Sequence, residues 1–167
     1  RGGMGTVYLA ERDDAEFQKR VALKVVRRGM DTDDILLRFR FERQILASLE
    51  HPSIARLYDG GATADGRPFL VMEYVDGVPI TRFCEEHRLP ITARLRLFAD
   101  ACRAVDFAHR NLVVHRDIKP SNVLVESDGT VKLLDFGIAK LLDPAPGADS
   151  PETRAEVRLF TPEYGAP

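Results

Sequence analysis

Tryptophan is absent from the 167 residues, cysteine occurs only twice, and neither sign of charge dominates: 24 Lys and Arg stand against 26 Asp and Glu, a formal charge of -2. The cysteines, Cys84 and Cys102, form no Cys-x-x-Cys pair. That argues against a disulfide framework or a cysteine-ligated zinc site. Both fall in helix-like stretches and are expected to be buried as small apolar residues, which fits a reducing, cytoplasmic compartment. The balanced charge gives no sign of a nucleic-acid or anionic-membrane partner. No apolar run approaches the ~20 residues of a membrane span, and no secretory leader pattern is visible. What is present suits a folded protein: 44% hydrophobic and 30% charged residues, in a length for one compact domain or two small lobes. Because the chain opens at Arg1 and stops at Ala166-Pro167 in a turn-rich run, the expectation is a piece of a longer protein.

Strand and helix signals change along the chain. Thr6 to Glu11 alternates and reads as a strand leaving a glycine turn, and Val21 to Val26 as a second strand. In that second strand Ala22, Lys24 and Val26 share one face, so a lysine sits within a strongly apolar strand. Asp31-Thr32-Asp33-Asp34 suits a helix start, and the helix is expected from about Ile35 to Leu49. Its apolar stripe is Ile35, Phe39, Leu46 and Leu49, and Glu42 lies on the same stripe. A carboxylate there needs a cationic partner. Ile54 to Tyr58 and Pro68 to Val75 read as further strands on either side of a turn-rich stretch from Asp59-Gly60-Gly61 to Gly66.

Asp76-Gly77-Val78-Pro79 punctuates the chain, and a lobe boundary is placed there, giving residues 1–75 and 76–167. Beyond it a short helix is expected over Thr81 to His87. A longer one is expected over Thr92 to about His109, with Leu95, Phe98, Cys102, Val105 and Ala108 or His109 on one apolar face, much of it left exposed if further C-lobe helices are missing. Val123-Leu124-Val125 and Val131 to Leu134, around Ser127-Asp128-Gly129, predict a hairpin. Residues 142–158 have the composition of a mobile loop.

Polar residues cluster around that hairpin. His115-Arg116-Asp117-Ile118-Lys119-Pro120-Ser121-Asn122 precedes its first strand, and Asp135-Phe136-Gly137 follows its second. A hairpin brings its ends together, so Asn122 and Asp135 should be neighbours. Oxygen donors from an Asn and an Asp suit Mg²⁺, with phosphate and water completing the set. Asp117 could accept a hydroxyl proton, and Lys119 could neutralise a phosphoryl group in transit.

His115-Arg116-Asp117 with Asn122, followed by Asp135-Phe136-Gly137, resembles the catalytic loop and metal-binding motif of the protein kinase family. Lys119-Pro120 resembles the serine/threonine-specific version. Gly2-x-x-Gly5-x-Val7 looks like the end of the glycine-rich loop, Val21-Ala22-Leu23-Lys24 like the strand of the ATP-binding lysine, and Glu42 stands where its helix partner would. Thr161 to Pro167 resembles the end of the activation segment. The resemblance covers essentially the whole chain and is closest to bacterial serine/threonine kinases of the eukaryotic-like (Hanks) type.

The resemblance implies an α+β, two-lobed fold, with an antiparallel-sheet N-lobe carrying one main helix and a mainly helical C-lobe cut before its last helices. It implies ATP and Mg²⁺ (or Mn²⁺) as cofactors, and transfer of the γ-phosphate to serine or threonine of protein substrates. Gly2, Gly3 and Gly5 would cover the phosphates. Lys24 would bind them and pair with Glu42. Val7, Ala22 and Leu124 would line the adenine slot, with Met72 as gatekeeper and the backbone of Glu73 and Val75 on the adenine edge. Asn122 and Asp135 would hold the metal, and Asp117 would orient the hydroxyl beside Lys119. Leu46, Leu57, His115 and Phe136 match the family's stacked regulatory spine. Arg116 would receive a phosphate on Ser150 or Thr153, and Thr161 would dock against the catalytic loop.

Taken singly, each motif has an ordinary reading: glycines in a turn, a snorkelling lysine, a packed histidine, a solvated arginine. The ordered set carries the signal. The alternatives are a pseudokinase that binds without catalysing and a small-molecule kinase. Lys24, Asp117, Asn122 and Asp135 together speak against the first, Lys119-Pro120 and Thr161–Pro167 against the second. The isolated 167 residues are expected to be unstable or inactive. Dimerisation through the N-lobe is left open, as is a membrane anchor outside these residues.

Overall fold

The computed structural model describes residues 5–14, 17–26, 43–44 and 46–136. Two antiparallel sheets organise them. The first is ordered β1-β2-β4-β3 and is built from β1 (Gly5–Asp14), β2 (Phe17–Val26), β3 (Leu57–Ala62) and β4 (Pro68–Glu73). The second is ordered β5-β6-β7, from β5 (Gly77–Pro79), β6 (Val123–Glu126) and β7 (Val131–Leu133). Helices α1 (Ile80–Glu86) and α2 (Ile91–Arg110) lie between β5 and β6 in the chain. Residues 43, 44, 46 and 47 are helical, as expected for the end of the Ile35–Leu49 helix, and Leu46 and Leu49 of its stripe are buried.

Register fixes which side chains face together. Val7 pairs with Lys24 and Lys24 with Leu70, while Leu9 pairs with Ala22 and Ala22 with Met72. Directly opposed residues in a sheet share a face, as do alternate residues along a strand. Val7, Ala22, Lys24 and Met72 therefore project from one side of the first sheet. Glu73, opposite Val21, projects from the other.

One core runs through both sheets. Val26, Leu46, Ile54 and Leu70 above join Phe83, Ala104, Val125, Leu133 and Phe136 below in a single buried cluster. The segment before β3 stitches the sheets together. Ile54 bridges Leu133 in parallel, Leu133 N–H donates to Ser53 O (2.8 Å), and Ala55 N–H donates to Leu133 O (3.0 Å).

Several expectations need correction. Ile54–Tyr58 is not a strand: Ile54 makes only an isolated bridge, and β3 begins at Leu57 and continues through Asp59-Gly60-Gly61, expected to be turn. These glycines serve close packing. A Cβ on Gly60 would lie 3.0 Å from the Phe69 carbonyl oxygen, and one on Gly61 would lie 3.0 Å from the Phe69 ring. The fourth strand stops at Glu73, not Val75. The punctuating Gly77-Val78-Pro79 is itself a strand, pairing with Glu126-Val125-Leu124.

The apolar face expected on α2 is only partly covered, with Ala108 buried and Val105 packed on the core. Leu97, Ala101, Ala104 and Ala108 are buried, whereas Leu95 and Phe98 are 58% and 61% exposed and Cys102 is exposed too. Apolar residues occupy a wide arc of this helix, and the alanine stripe allows the closest approach to neighbouring backbone. Cys84 is buried as expected.

Gly77 allows β5 to approach β6. A Cβ there would lie 2.7 Å from the Val125 carbonyl oxygen and 3.0 Å from its carbon, with backbone unable to yield. Gly77→Ala is expected to cost about 1–3 kcal/mol through overpacking, read as a lower denaturant midpoint at unchanged slope.

Candidate active site

The candidate residues come from three short segments. The loop before β6 supplies His115, Arg116, Asp117, Lys119 and Asn122, ending in a 3₁₀ turn over Pro120–Asn122. The chain leaving β7 supplies Asp135 and Phe136. Strand β2 supplies Lys24. Hairpin pairing of Val123 with Leu133 closes the gap between the first two, and Leu134 N–H donates to Asn122 O (2.8 Å). Asn122 and Asp135 thus lie on adjoining segments, as the hairpin argument expects.

Within the loop, Asp117 is the hub. Its Oδ2 accepts from Lys119 Nζ at 2.8 Å and from Asn122 Nδ2 at 2.9 Å, and the same Asn122 nitrogen donates to Asp117 O at 2.8 Å. The Asp117 side chain is only 12% exposed. Two acceptors on one nitrogen fix the orientation of the Asn122 amide. Its Oδ1 is consequently the end directed away from Asp117, and it takes no hydrogen bond among the described residues.

Above the loop, Lys24 Nζ reaches Asp135 Oδ1 at 2.6 Å, with side-chain exposures of 12% and 30%. This ion pair joins the first sheet to the end of the hairpin. The charged residue of an apolar strand finds its counter-charge there. Glu42, its expected partner, lies outside the described residues, as do Gly2, Gly3, Ser150, Thr153 and Thr161. Gly5 is described, and a Cβ on it would lie 2.5 Å from the Val25 carbonyl oxygen, so this position admits no side chain against β2.

The backbone around the site is unusual. Arg116 and Asp135 both have positive φ, 63° and 57°. Non-glycine residues adopt this region at a cost of order 1–3 kcal/mol and cluster at functional sites.

His115 ties the segments from beneath. It is 1% exposed. Its ring lies 4.6 Å from that of Phe136, centroid to centroid. Nε2 lies 2.7 Å from Leu134 O, and Asp117 N–H donates to Nδ1 at 3.3 Å. An acceptor at Nδ1 and a donor at Nε2 define the neutral ε tautomer. Burial pushes the His115 pKa below its ordinary 6.5, against raising contributions from the Leu134 carbonyl, Asp117 and Asp135. Leu46 and Phe136 belong to the same buried cluster, and Leu57 packs against it. The four spine positions therefore converge on one core.

The other residues expected to line an adenine slot lie on the first sheet, on β6 and in the linker. Val7, Ala22 and Met72 share the Lys24 face, and Leu124 lies on β6 opposite Lys132. Val75 is buried in the linker between the sheets. The Glu73 N–H is committed to Arg56 O (2.8 Å), which leaves the carbonyl as that residue's remaining backbone group for an adenine edge.

One contact escaped sequence reasoning. Lys132 Nζ pairs with Glu73 Oε1 at 2.6 Å on the far side of the linker, and Glu73 Oε2 accepts from Arg56 N–H at 3.0 Å. The only sequence signal was a lysine within the short apolar run of β7.

A model of the protein kinase domain matches residues 1–167. Among curated relatives, the serine/threonine-protein kinase PknB of Mycobacterium leprae is 38% identical over 99% of this chain and 26% of its own length. The serine/threonine-protein kinase Pkn1 of Myxococcus xanthus is 39% identical over 100% of this chain and 24% of its own. Among solved structures, the Mycobacterium tuberculosis PknI kinase domain superposes with a TM-score of 0.68 at 35% identity, covering 83% of this chain and 56% of that one. The architecture is that of a two-lobed kinase domain. The chain belongs to the protein kinase family. It spans about a quarter of the length of the curated relatives it matches.

The pH dependence of stability follows from His115. Its folded-state pKa is depressed, so the unfolded chain binds the extra proton and folding is penalised as pH falls below about 6.5. Stability should fall from pH 7 to pH 5 by up to about 1.4 kcal/mol per pH unit from this group, read as a lower thermal midpoint. In His115→Gln, which offers both hydrogen bonds but does not titrate, the same plot should be flatter. Parallel slopes would remove His115 as the cause.

Proposed function

We propose that the protein containing this chain transfers the γ-phosphate of ATP to serine or threonine hydroxyls of protein substrates. The observation that carries this reading is the Asp117 carboxylate, which is largely shielded from solvent and held by both Lys119 and Asn122. A carboxylate fixed in this way is suited to orient a hydroxyl and take its proton as the bond forms. Lys119 supplies positive charge beside it, where charge on a transferred phosphoryl group would need compensation. The chain divides functionally near Val75-Asp76, with the nucleotide gripped between the two parts.

The donor set fits a hard divalent ion. Asn122 Oδ1 and Asp135 Oδ2 carry no hydrogen bond among the described residues, and carboxylate and amide oxygens with phosphate are the donors Mg²⁺ or Mn²⁺ takes. Asn122 and Asp135 would hold the ion, which when bound neutralises phosphate charge. Lys24, paired to Asp135, lies beside the same position and would hold the α and β phosphates. Gly2, Gly3 and Gly5 would cover them, with Glu42 partnering Lys24. Val7, Ala22, Met72 and Leu124, with the backbone of Glu73 and Val75, would enclose the base.

Lys119-Pro120 and Thr161 support a protein substrate, and the names of the relatives support serine or threonine on it. Arg116 next to Asp117 would bind a phosphate on Ser150 or Thr153 and order the activation segment. Mass spectrometry of active protein with both residues unmodified would remove that part. A cytoplasmic location for the catalytic part fits an ATP-dependent reaction, and no helix among the described residues is long and apolar enough to cross a membrane.

The test is phosphate transfer from Mg-ATP to a generic protein substrate by the full-length protein, with Asp117→Ala beside it. The variant is expected to lose about 10²–10⁴-fold in kcat while retaining nucleotide affinity. Equal rates in the two proteins would overturn the assignment of Asp117. Nucleotide binding without transfer in either would identify a pseudokinase.

A further inference from the structure

Arg20 lies outside every motif, yet its place on β2 puts it in line with the nucleotide-binding residues. Arg20, Ala22 and Lys24 are alternate residues of one strand and project from the same face. At about 3.3 Å rise per residue, Arg20 stands roughly 13 Å from Lys24 along the strand. Lys24 engages Asp135 at one end. At the other, the Arg20 guanidinium carbon lies 4.7 Å from the centroid of the Tyr74 ring, and its Nη2 lies 3.5 Å from Asp76 Oδ2. Tyr74 and Asp76 flank Val75 in the linker between the sheets. A single side chain therefore holds the residues on both sides of Val75 to the strand that carries Ala22 and Lys24.

We propose that Arg20 is a positioning residue for the purine. It sets the distance and tilt of linker residues 74–76 relative to β2, so that base and phosphates are met by one rigid strand. The inference rests on the nucleotide-binding reading above. Arginine suits the task because its planar cation stacks on an aromatic face while its remaining donors reach a carboxylate. Both contacts are partly solvent-exposed, with Arg20 and Asp76 side chains 52% and 73% accessible. Each is accordingly modest, and the effect expected is a tuning of affinity and not an all-or-none loss.

The test uses the full-length protein, with dissociation constants of ATP and of adenosine measured by calorimetry alongside steady-state kinetics. Arg20→Ala is expected to raise both dissociation constants and the KM for ATP in parallel, by about threefold to tenfold, with kcat within about twofold of wild type. Arg20→Lys, which keeps the charge toward Asp76 and loses the planar stack, should recover part of the affinity. Adding Asp76→Asn to Arg20→Ala should cost little more, since the partner is already gone. Unchanged constants in Arg20→Ala would overturn the inference, as would weaker ATP binding with adenosine binding intact, or a fall in kcat alone. A wild-type protein that binds neither compound would overturn the nucleotide-binding reading and this inference with it. A wild type that binds both without transferring phosphate would overturn only the transfer, leaving the Arg20 comparison decisive.

Discussion

A lysine in the middle of an apolar strand is the constraint around which this molecule is arranged. Strand β2 has apolar neighbours on both sides, and among the described residues its Lys24 ammonium finds its counter-charge across the gap, at Asp135. Desolvating a cation is unfavourable unless an anion meets it, and meeting it here adds an ion pair to the contacts that hold the two sheets together. The cost is offset only while the chain leaving β7 keeps its turn. Asp135 holds that turn at a φ of 57°, and the Phe136 ring next to it packs on His115. The electrostatics of the cleft and the packing beneath it are therefore one problem. A neutral, buried imidazole supports the backbone of both Asp117 and Leu134, so the Asp117 loop and the Lys24 partner share a foundation.

Much of this was legible in the sequence because the relevant signals are local. The hairpin was marked by Ser127-Asp128-Gly129 between two short apolar runs, and once the hairpin is drawn, Asn122 and Asp135 must adjoin. The Asp117–Lys119–Asn122 cluster lies within six residues. Lys24 was conspicuous because a charge interrupts an apolar strand. Signals of this kind need no knowledge of how distant parts pack.

What failed depended on tertiary contact. Helix α2 carries two adjacent apolar stripes, and periodicity favours the bulkier one through Leu95 and Phe98. The structure sets the stripe of Leu97, Ala101, Ala104 and Ala108 against the core and leaves Leu95 and Phe98 exposed, a choice between stripes that periodicity alone does not make. Asp59-Gly60-Gly61 reads as a turn by composition, yet those glycines are strand residues thinned to make room for Phe69. The Glu73–Lys132 and Arg20–Asp76 pairs join residues 59 and 56 positions apart, and no local pattern announces either. Motif reading finds groups that do chemistry more readily than groups that hold the linker in place.

The stitching of residues 53–55 to Leu133 has a mechanical consequence. The linker at 74–76 is the chain connection from the first sheet to the second, and the segment leading into β3 adds a second, hydrogen-bonded attachment along the edge of β7. His51, at the start of that segment, also lies against Phe107 of α2, with ring centroids 5.0 Å apart. The upper sheet cannot swing like a book cover on one spine. An opening between the sheets that keeps these bonds leaves residues 51–55 moored to the lower layer while the strands above them shift.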